Sequence, residues 1–421
     1  MKVLVVGSGA REHALAWRLS RSPSVSRVIV PNGNPGIAAV AETPALGRAD
    51  PASLRAFAED ARIDLTVVGP EAPLVAGIVD EFRRSGLRIF GPTGDAARIE
   101  GSKAFAKRVM ARADVPTGSF RAFEIVEEAV AHVRASRPPI VVKADGLAAG
   151  KGVVIARSRD EAEETLHEWM VAGALGAAGR RVVVEEFLEG RESSFLAIVA
   201  GERFVSFREA RDYKRARDGD EGPNTGGMGA VAPLARDAAE RAAVEERIIA
   251  PTLWALRKEG CPMTGVLYAG LIWTEEGPKV LEFNCRFGDP EAEALLPLLE
   301  GDLGALLLGA ALGELDDRPL AFADAHAVTV VVAAEGYPAS PRLGDPIEGL
   351  EEADAVSGAH VFHGGTRRDG GRVVTAGGRV AAVTAVAESR AAARSRAYDA
   401  VARIRFRGAW RRSDIGAEGA G

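Results

Sequence analysis

Cysteine is all but missing from this 421-residue chain, in which Cys261 and Cys285 are the only thiols. Two thiols cannot staple a fold of this size, and no Cys/His group carries the spacing of a zinc site. A reducing compartment, the cytoplasm, is therefore expected. Long apolar runs are missing as well. No 18 consecutive apolar residues occur, so no membrane span is expected. The apolar start of MKVLVVGSGARE stops at Gly7, too early for the core of a signal peptide. Positive charge is not in excess either: the formal net charge of −6 removes the electrostatic footprint of a nucleic-acid binder. Lysine itself is scarce, 8 of the 53 basic residues. Arginine replaces lysine freely on a solvated surface but not where a compact ammonium must meet a phosphate oxygen. Lys103, Lys143, Lys151 and Lys214 are thereby weak markers of a site.

What is present is a globular composition, 47% hydrophobic and 27% charged, in a chain long enough for two to four domains. The first hundred residues alternate β-branched runs (2–6, 27–30, 64–68, 88–90) with amphipathic stretches (12–19, 74–82), a βαβ pattern that predicts a parallel sheet. A helix is predicted over 94–113. From residue 139 the texture turns to extended runs, 140–143, 152–156, 182–187 and 195–200, with a helix near 160–170, which suggests a small α+β lid. The glycine-rich segment 209–229 is too long for a plain turn, and loops of that length are usually functional. A helix over 238–258, strands over 265–274 and 278–284, and a strand-rich unit from 326 with a turn at 368–371 and a helix through 398–404 complete the reading. No internal repeat is found.

Several segments carry chemistry. GSGARE, residues 7–12, sits where a first strand turns into a helix, a place whose free N–H groups suit a phosphate. The third glycine of a dinucleotide fingerprint falls at Glu12, and the second strand ends in Pro31-Asn32 with no acid for a ribose. A phosphate or substrate loop is the reading, a tight turn made for packing alone its alternative. NGNPG (32–36) and GPEAPL (69–74) fall at the same edge of the sheet. Each alone is an ordinary turn more often than a site; together with the first loop they outline a pocket that Glu71 would face. GLAAGKG (146–152) follows the strand bearing Lys143. Its glycines are too close for a Walker A loop and Gly152 stands where a magnesium Ser/Thr would be. In KVLEFNCRFGDPE, residues 279–291, Glu282 and Asn284 alternate on one strand face with Arg286 beyond, which directs two hard oxygen donors and a guanidinium into one space. Solvated charge on a strand edge is the bland account. Phe283 and Cys285 on the other face argue for burial, where unpaired charge is costly.

These residues resemble the phosphoribosylamine–glycine ligase family of ATP-grasp enzymes along almost the whole chain. The resemblance rests on Arg11-Glu12-His13-Ala14, GPEAPLVAGIVD (69–80), VVKADGLAAGKGVV (141–154), DGDEGPNTGGMGA (218–230) and RFGDPE (286–291), with FHGGT (362–366) and GGRV (377–380) later. It implies an α/β and α+β multidomain fold: a Rossmann-like parallel-sheet domain over 1–101, an ATP-grasp domain over 102–325 with a lid at about 120–192, and a strand-rich C-terminal domain over 326–421. It implies ATP held by Lys103, Lys143, Gly146, Gly150, Lys151, Gly152, Glu185, Glu186, Leu188, Glu192 and Lys214. Magnesium, or manganese in its place, would sit on Glu282 and Asn284. Gly9, Glu12 and Glu71 would serve phosphoribosylamine, and Asn224, Thr225 and Gly226 the glycine or phosphates. Arg286 and Asp289 would be catalytic, the one on an acyl phosphate, the other near the amine. A monomer acting on small molecules, without nucleic acid or membrane, follows. Ala10, Tyr213, Cys285 and Gly364 depart from the family pattern, and Tyr268 to Leu271 carries no further metal acid. The rivals are another ATP-grasp carboxylate-amine ligase and a nucleotide-binding module without chemistry.

Overall fold

The computed structural model describes residues 1–148, 152–316 and 318–417. The predicted N-terminal sheet is present. Its parallel strands run in the order Arg27–Ile29, Lys2–Val6, Leu65–Val68, Ile89–Phe90. Both faces are covered, which is why these strands read as unbroken apolar runs; Val3, Leu4, Val5, Leu65 and Val67 are wholly buried. Parallel pairing brings the loops after Val6 and Val68 out at one edge.

The single helix expected over 94–113 is two, Gly94–Gly101 and Lys103–Arg112. Ser102 breaks the run. Its backbone is extended and its hydroxyl accepts from the Phe105 N–H as an N-cap, a role serine fills better than it fills a helix interior. The long helix over 238–258 keeps one path through Ala238–Val244 and Ala250–Lys258. The last helix begins earlier than expected, at Arg390, and ends at Val401.

The middle of the chain builds two four-stranded sheets. One joins Phe120–Phe123, Val182–Glu186, Ile140–Ala144 and Val153–Ala156 over its own small core of Phe123, Val133, Leu166 and Trp169. The other is antiparallel, in the order Arg203–Ser206, Arg191–Ala200, Thr264–Thr274, Gly277–Asn284. Glu192, expected as the last residue of the lid, lies on a strand of this second sheet. The sheet shares its core with the N-terminal unit: Phe195, Leu267 and Phe283 pack in one cluster with Leu4, Phe82 and Phe105.

The segment 209–229, expected as one loop, holds short strands. Arg215–Arg217 pairs with Glu221–Asn224, and Arg211–Asp212 and Gly229–Ala232 enter the C-terminal sheet. That five-stranded sheet runs Arg211–Asp212, Gly229–Ala232, His326–Ala333, Arg379–Ala387, Ala359–His363. A division at residue 326 therefore cuts across a continuous hydrogen-bonded sheet, because the chain leaves the central unit and returns to it before residue 326.

Candidate active site

The central and lid sheets, the N-terminal edge and the 211–227 segment enclose a cavity of about 980 Å³. The break at Ser102 delivers its first lysine. Asp145, just past the Lys143 strand, accepts from the Ser102 hydroxyl (2.9 Å) and the Ala104 N–H (2.7 Å), and its carbonyl accepts from the Lys103 N–H (3.0 Å). An acid at a helix N-terminus satisfies its free donors and its dipole, so the helix start is locked to the lid strand. Lys103 reaches from there to Glu282, 3.0 Å away.

Glu282 and Asn284 do point to one side of the strand Gly277–Asn284, into the cavity, while Phe283 packs in the core behind. Opposite Glu282 on the neighbouring strand is Gly270, and opposite Asn284 is Tyr268. Burial opposes the charge on Glu282, but Lys103, then Lys214 and Lys143, outweigh it and hold the carboxyl well below the usual carboxylate range. Among the described residues no group of three or more His, Cys, Asp and Glu is arranged to hold a metal. A carboxylate and an amide oxygen on one strand nonetheless suit magnesium, which keeps several water or phosphate ligands and seldom takes a cage made wholly of protein. The donor set fits the ion.

Beyond Asn284, the Arg286 guanidinium meets Glu100 at 3.0 Å, Glu71 at 3.4 Å and the Asn284 amide oxygen at 3.3 Å. Glu100 also accepts from the Cys285 N–H at 2.8 Å. Cys285 is explained by this arrangement: its side chain fills the core beside Ala97 while its backbone anchors the acid that holds Arg286.

At the lid side, Lys143 donates to Glu185 (3.0 Å) and to the Leu281 carbonyl (2.8 Å). A lysine that sequence reasoning missed, Lys107, meets the same carboxylate at 2.8 Å and is 2% exposed; burial lowers its ammonium to about 8. Helical spacing from Lys103 could have found it, since residues four apart share a face. Gly146, Gly152, Glu186 and Leu188 line the cavity, and Glu186 accepts from the Ser119 N–H. Gly150 and Lys151 lie outside the described residues. Glu192 and Lys214 pair at 3.2 Å across the rim. Beside them is Asp212, also missed, whose carboxyl is pushed up to about 7 by burial against the pull of Lys214, with Glu291, Glu192 and Glu282 adding to the rise.

The N-terminal edge differs from expectation. Glu71, Pro70 and Arg11 line the cavity; Gly9 and Glu12 do not. The Glu12 carboxylate accepts from the Gly9 N–H (2.6 Å) and from Arg11 (2.7 Å). It packs so closely under Gly69 that a β-carbon there would stand 2.1 Å from it. Glu12 thus braces the two loops and aims Arg11. NGNPG also lies outside the lining: the Asn34 amide donates to the Ser8 and His363 carbonyls and ties the first loop to the C-terminal unit.

Asn224, Thr225 and Gly226 do line the cavity, with Arg379 and Tyr337 from the C-terminal unit, which the sequence reading left out. Arg379 pairs with Asp289 at 2.9 Å and donates to the Asp289 carbonyl at 3.1 Å and to the Gly226 carbonyl. Gly227 holds a φ of +105°, and a β-carbon there would sit 2.4 Å from Pro290. Gly227→Ala should therefore lower stability by about 1–3 kcal/mol, read as a fall in the urea midpoint. Tyr213, a departure from the family pattern, is anchored away from the cavity, its hydroxyl accepting from the Gly416 N–H.

Three family models match, described as the N domain, the ATP-grasp (A) domain and the C domain of phosphoribosylglycinamide synthetase, over residues 1–100, 101–292 and 327–418. A phosphoribosylamine–glycine ligase from Brucella melitensis is 50% identical over 417 residues, 99% of this chain and 97% of that one. One from Escherichia coli is 48% identical over 422 residues, 99% and 98% of the two chains. The crystal structure of the phosphoribosylamine–glycine ligase of Thermotoga maritima superposes with a TM-score of 0.88 at 35% identity, covering 99% of this chain and all of that one. The biotin carboxylase domain of Hydrogenobacter thermophilus 2-oxoglutarate carboxylase, at a TM-score of 0.74 and 18% identity, shares the fold. With all three models in chain order and full-length relatives near half identity, this chain belongs to the phosphoribosylglycinamide synthetase family.

Proposed function

We propose that this chain ligates glycine to 5-phospho-D-ribosylamine with ATP, giving N1-(5-phospho-D-ribosyl)glycinamide, ADP and phosphate, the second step of purine synthesis. The observation that carries the reading is one cavity whose two ends carry different cations. Lys103, Lys143 and Lys214 gather around Glu282 at one end, Arg379 and Arg11 gather around Asp289 at the other, and Arg286 stands between them, 3.3 Å from the Asn284 amide oxygen.

In the first step the glycine carboxylate attacks the γ-phosphorus of ATP and ADP leaves; in the second the amine of phosphoribosylamine attacks the carbonyl of glycyl phosphate, loses a proton and expels phosphate. Neither step needs a protein nucleophile. Positioning and charge neutralisation carry phosphoryl transfer. Lys103 and Lys143, with Gly146 and Gly152, would hold the phosphates, and Glu185, Glu186, Leu188 and Glu192 the nucleoside end. Glu185, clasped between Lys107 and Lys143, would act there mainly by orienting Lys143. Magnesium, held by Glu282 and Asn284, would neutralise phosphate charge when bound. Arg286 would stabilise the acyl phosphate. Glu71, Arg11 and Asn224 to Gly226 would hold phosphoribosylamine and glycine, with Gly9 and Glu12 acting behind Arg11. An acyl phosphate survives only where water is excluded, which suits a site deep between lid and sheet. A cytoplasmic monomer acting on small molecules belongs to the same proposal. No helix among the described residues is long and apolar enough to cross a membrane.

The deciding assay mixes the protein with ATP, magnesium, glycine and phosphoribosylamine generated in place, and follows ADP and glycinamide ribonucleotide. Glycine-dependent formation of both is expected. ADP release that ignores glycine, or that responds to another carboxylic acid, would move the chain to another ATP-grasp ligase.

A further inference from the structure

The second end of the cavity rests on a group that the proposed reaction does not use. Glu293 is wholly buried, and neither of its carboxyl oxygens receives a hydrogen bond from any donor. It sits four residues after Asp289, in the helix Glu291–Leu295, with its carboxyl beside the Asp289 carboxyl. Two carboxyls can bond only if one of them carries a proton. Their surroundings decide which. Asp289 is open to the cavity and faces Arg379 at 2.9 Å, with Arg11 and Arg286 further off. Glu293 faces Asp289 and, from the C-terminal sheet, Arg379, whose pull does not overcome burial, and the Thr384 hydroxyl that comes near donates to its carbonyl rather than its side chain. An ionised carboxylate without donors in such a place is costly.

We propose that Glu293 is held protonated and donates its proton to Asp289, a positioning residue that keeps Asp289 an oriented anion at the amine end of the cavity. The inference rests on the ligase reading for the meaning of that anion, not for the shared proton. The charges agree with it: burial and then the Asp289 charge push the Glu293 carboxyl well up against the pull of Arg379, while Arg379 and Arg11 overcome burial and hold the Asp289 carboxyl below its ordinary range. With a fixed proton behind it and Arg379 at its flank, Asp289 can present one oxygen to an incoming amine without a search over rotamers.

The sign of the pH effect follows. A buried acid with a raised native value binds a proton that the unfolded chain releases above about pH 4.3. Stability then falls as pH rises from there until the native value is reached.

The test uses the full chain and the variants Glu293→Gln and Glu293→Leu. The infrared band of a protonated carboxyl should be present in the wild type at about pH 8, shift in heavy water, and be absent from Glu293→Gln. The urea midpoint of Glu293→Gln should gain on that of the wild type as pH rises. In the ligase assay the amide, which also donates, should rescue turnover to within about threefold. Glu293→Leu, of similar volume but with nothing to donate, should lose at least about tenfold in kcat with the KM for ATP unchanged. A missing band, or midpoints that run parallel with pH, overturns the shared proton even if the leucine variant fails to fold. A leucine variant as active as the wild type overturns the positioning role. A wild type that makes no glycinamide ribonucleotide removes the ligase reading instead, and the infrared and midpoint results still decide the proton.

Discussion

Glu282→Ala is expected to abolish turnover and leave the fold intact. The carboxylate is the meeting point of the phosphate end: Lys103 touches it at 3.0 Å, and Lys214 and Lys143 add to the field that keeps it ionised. It is also one of the two oxygen donors proposed for the metal. Removing it should leave the lysines to repel one another and the phosphate-bound cation without its anionic ligand. Losses from a single preorganised electrostatic contact run to about 10²–10³ in kcat, and here a cation contact and a lysine partner go together, so about 10³ or more is expected. The fold has little at stake, because both side chains keep some contact with solvent, 17% for Lys103 and 29% for Glu282. Partly exposed ion pairs contribute about 1 kcal/mol or less. ADP release measured at saturating ATP, beside a urea titration, separates the two effects. Full activity would take Glu282 out of the site.

Arg286→Met should fail on both counts. Its guanidinium joins the N-terminal edge, through Glu71 and Glu100, to the metal strand through Asn284. Glu100 is 4% exposed, so its carboxylate would lose its cationic partner inside the protein. Breaking a buried pair on one side costs about 3–5 kcal/mol, while loss of the contact proposed with a developing acyl phosphate would cost about 10²–10³ in kcat. Lysine should not rescue, since one ammonium cannot reproduce a planar fork that reaches three acceptors. Combining Arg286→Met with Glu100→Gln separates the roles: the double variant should recover stability and stay inactive. Recovered activity would show that Arg286 serves structure alone.

Much of this was readable along the chain, for reasons tied to particular residues. Glu282, Asn284 and Arg286 share a face because strand side chains alternate, a rule that needs no tertiary knowledge. Lys103, Lys143 and Glu71, which line the cavity, stood out because lysine is scarce and because parallel strands send their loops to one edge, whereas NGNPG, at the same edge, lies outside the lining. Gly9 and Glu12 were misplaced, since nothing in GSGARE says whether its acid turns toward the ligand or back under the loops. Gly69, distant in sequence, settles that by leaving room for the Glu12 carboxylate. Asp212, hidden in a segment read as one loop, was missed because its two-residue strand gains its partner only at Gly229–Ala232.

The sequence alone determined the strands, helices and N-terminal parallel sheet, because alternation, helical periodicity and turn residues act over a few neighbours, and the resemblance of its motifs to a family supplied the order of the units and the type of chemistry. The tertiary structure decided which charges meet. Arg379 comes from a strand about ninety residues after Asp289, Lys107 shares Glu185 with Lys143, and Glu293 becomes an acid only when every face of it is covered. Such pairings depend on burial and on contacts made across the chain, and a buried group takes its protonation state from neighbours that the chain supplies only once it has folded.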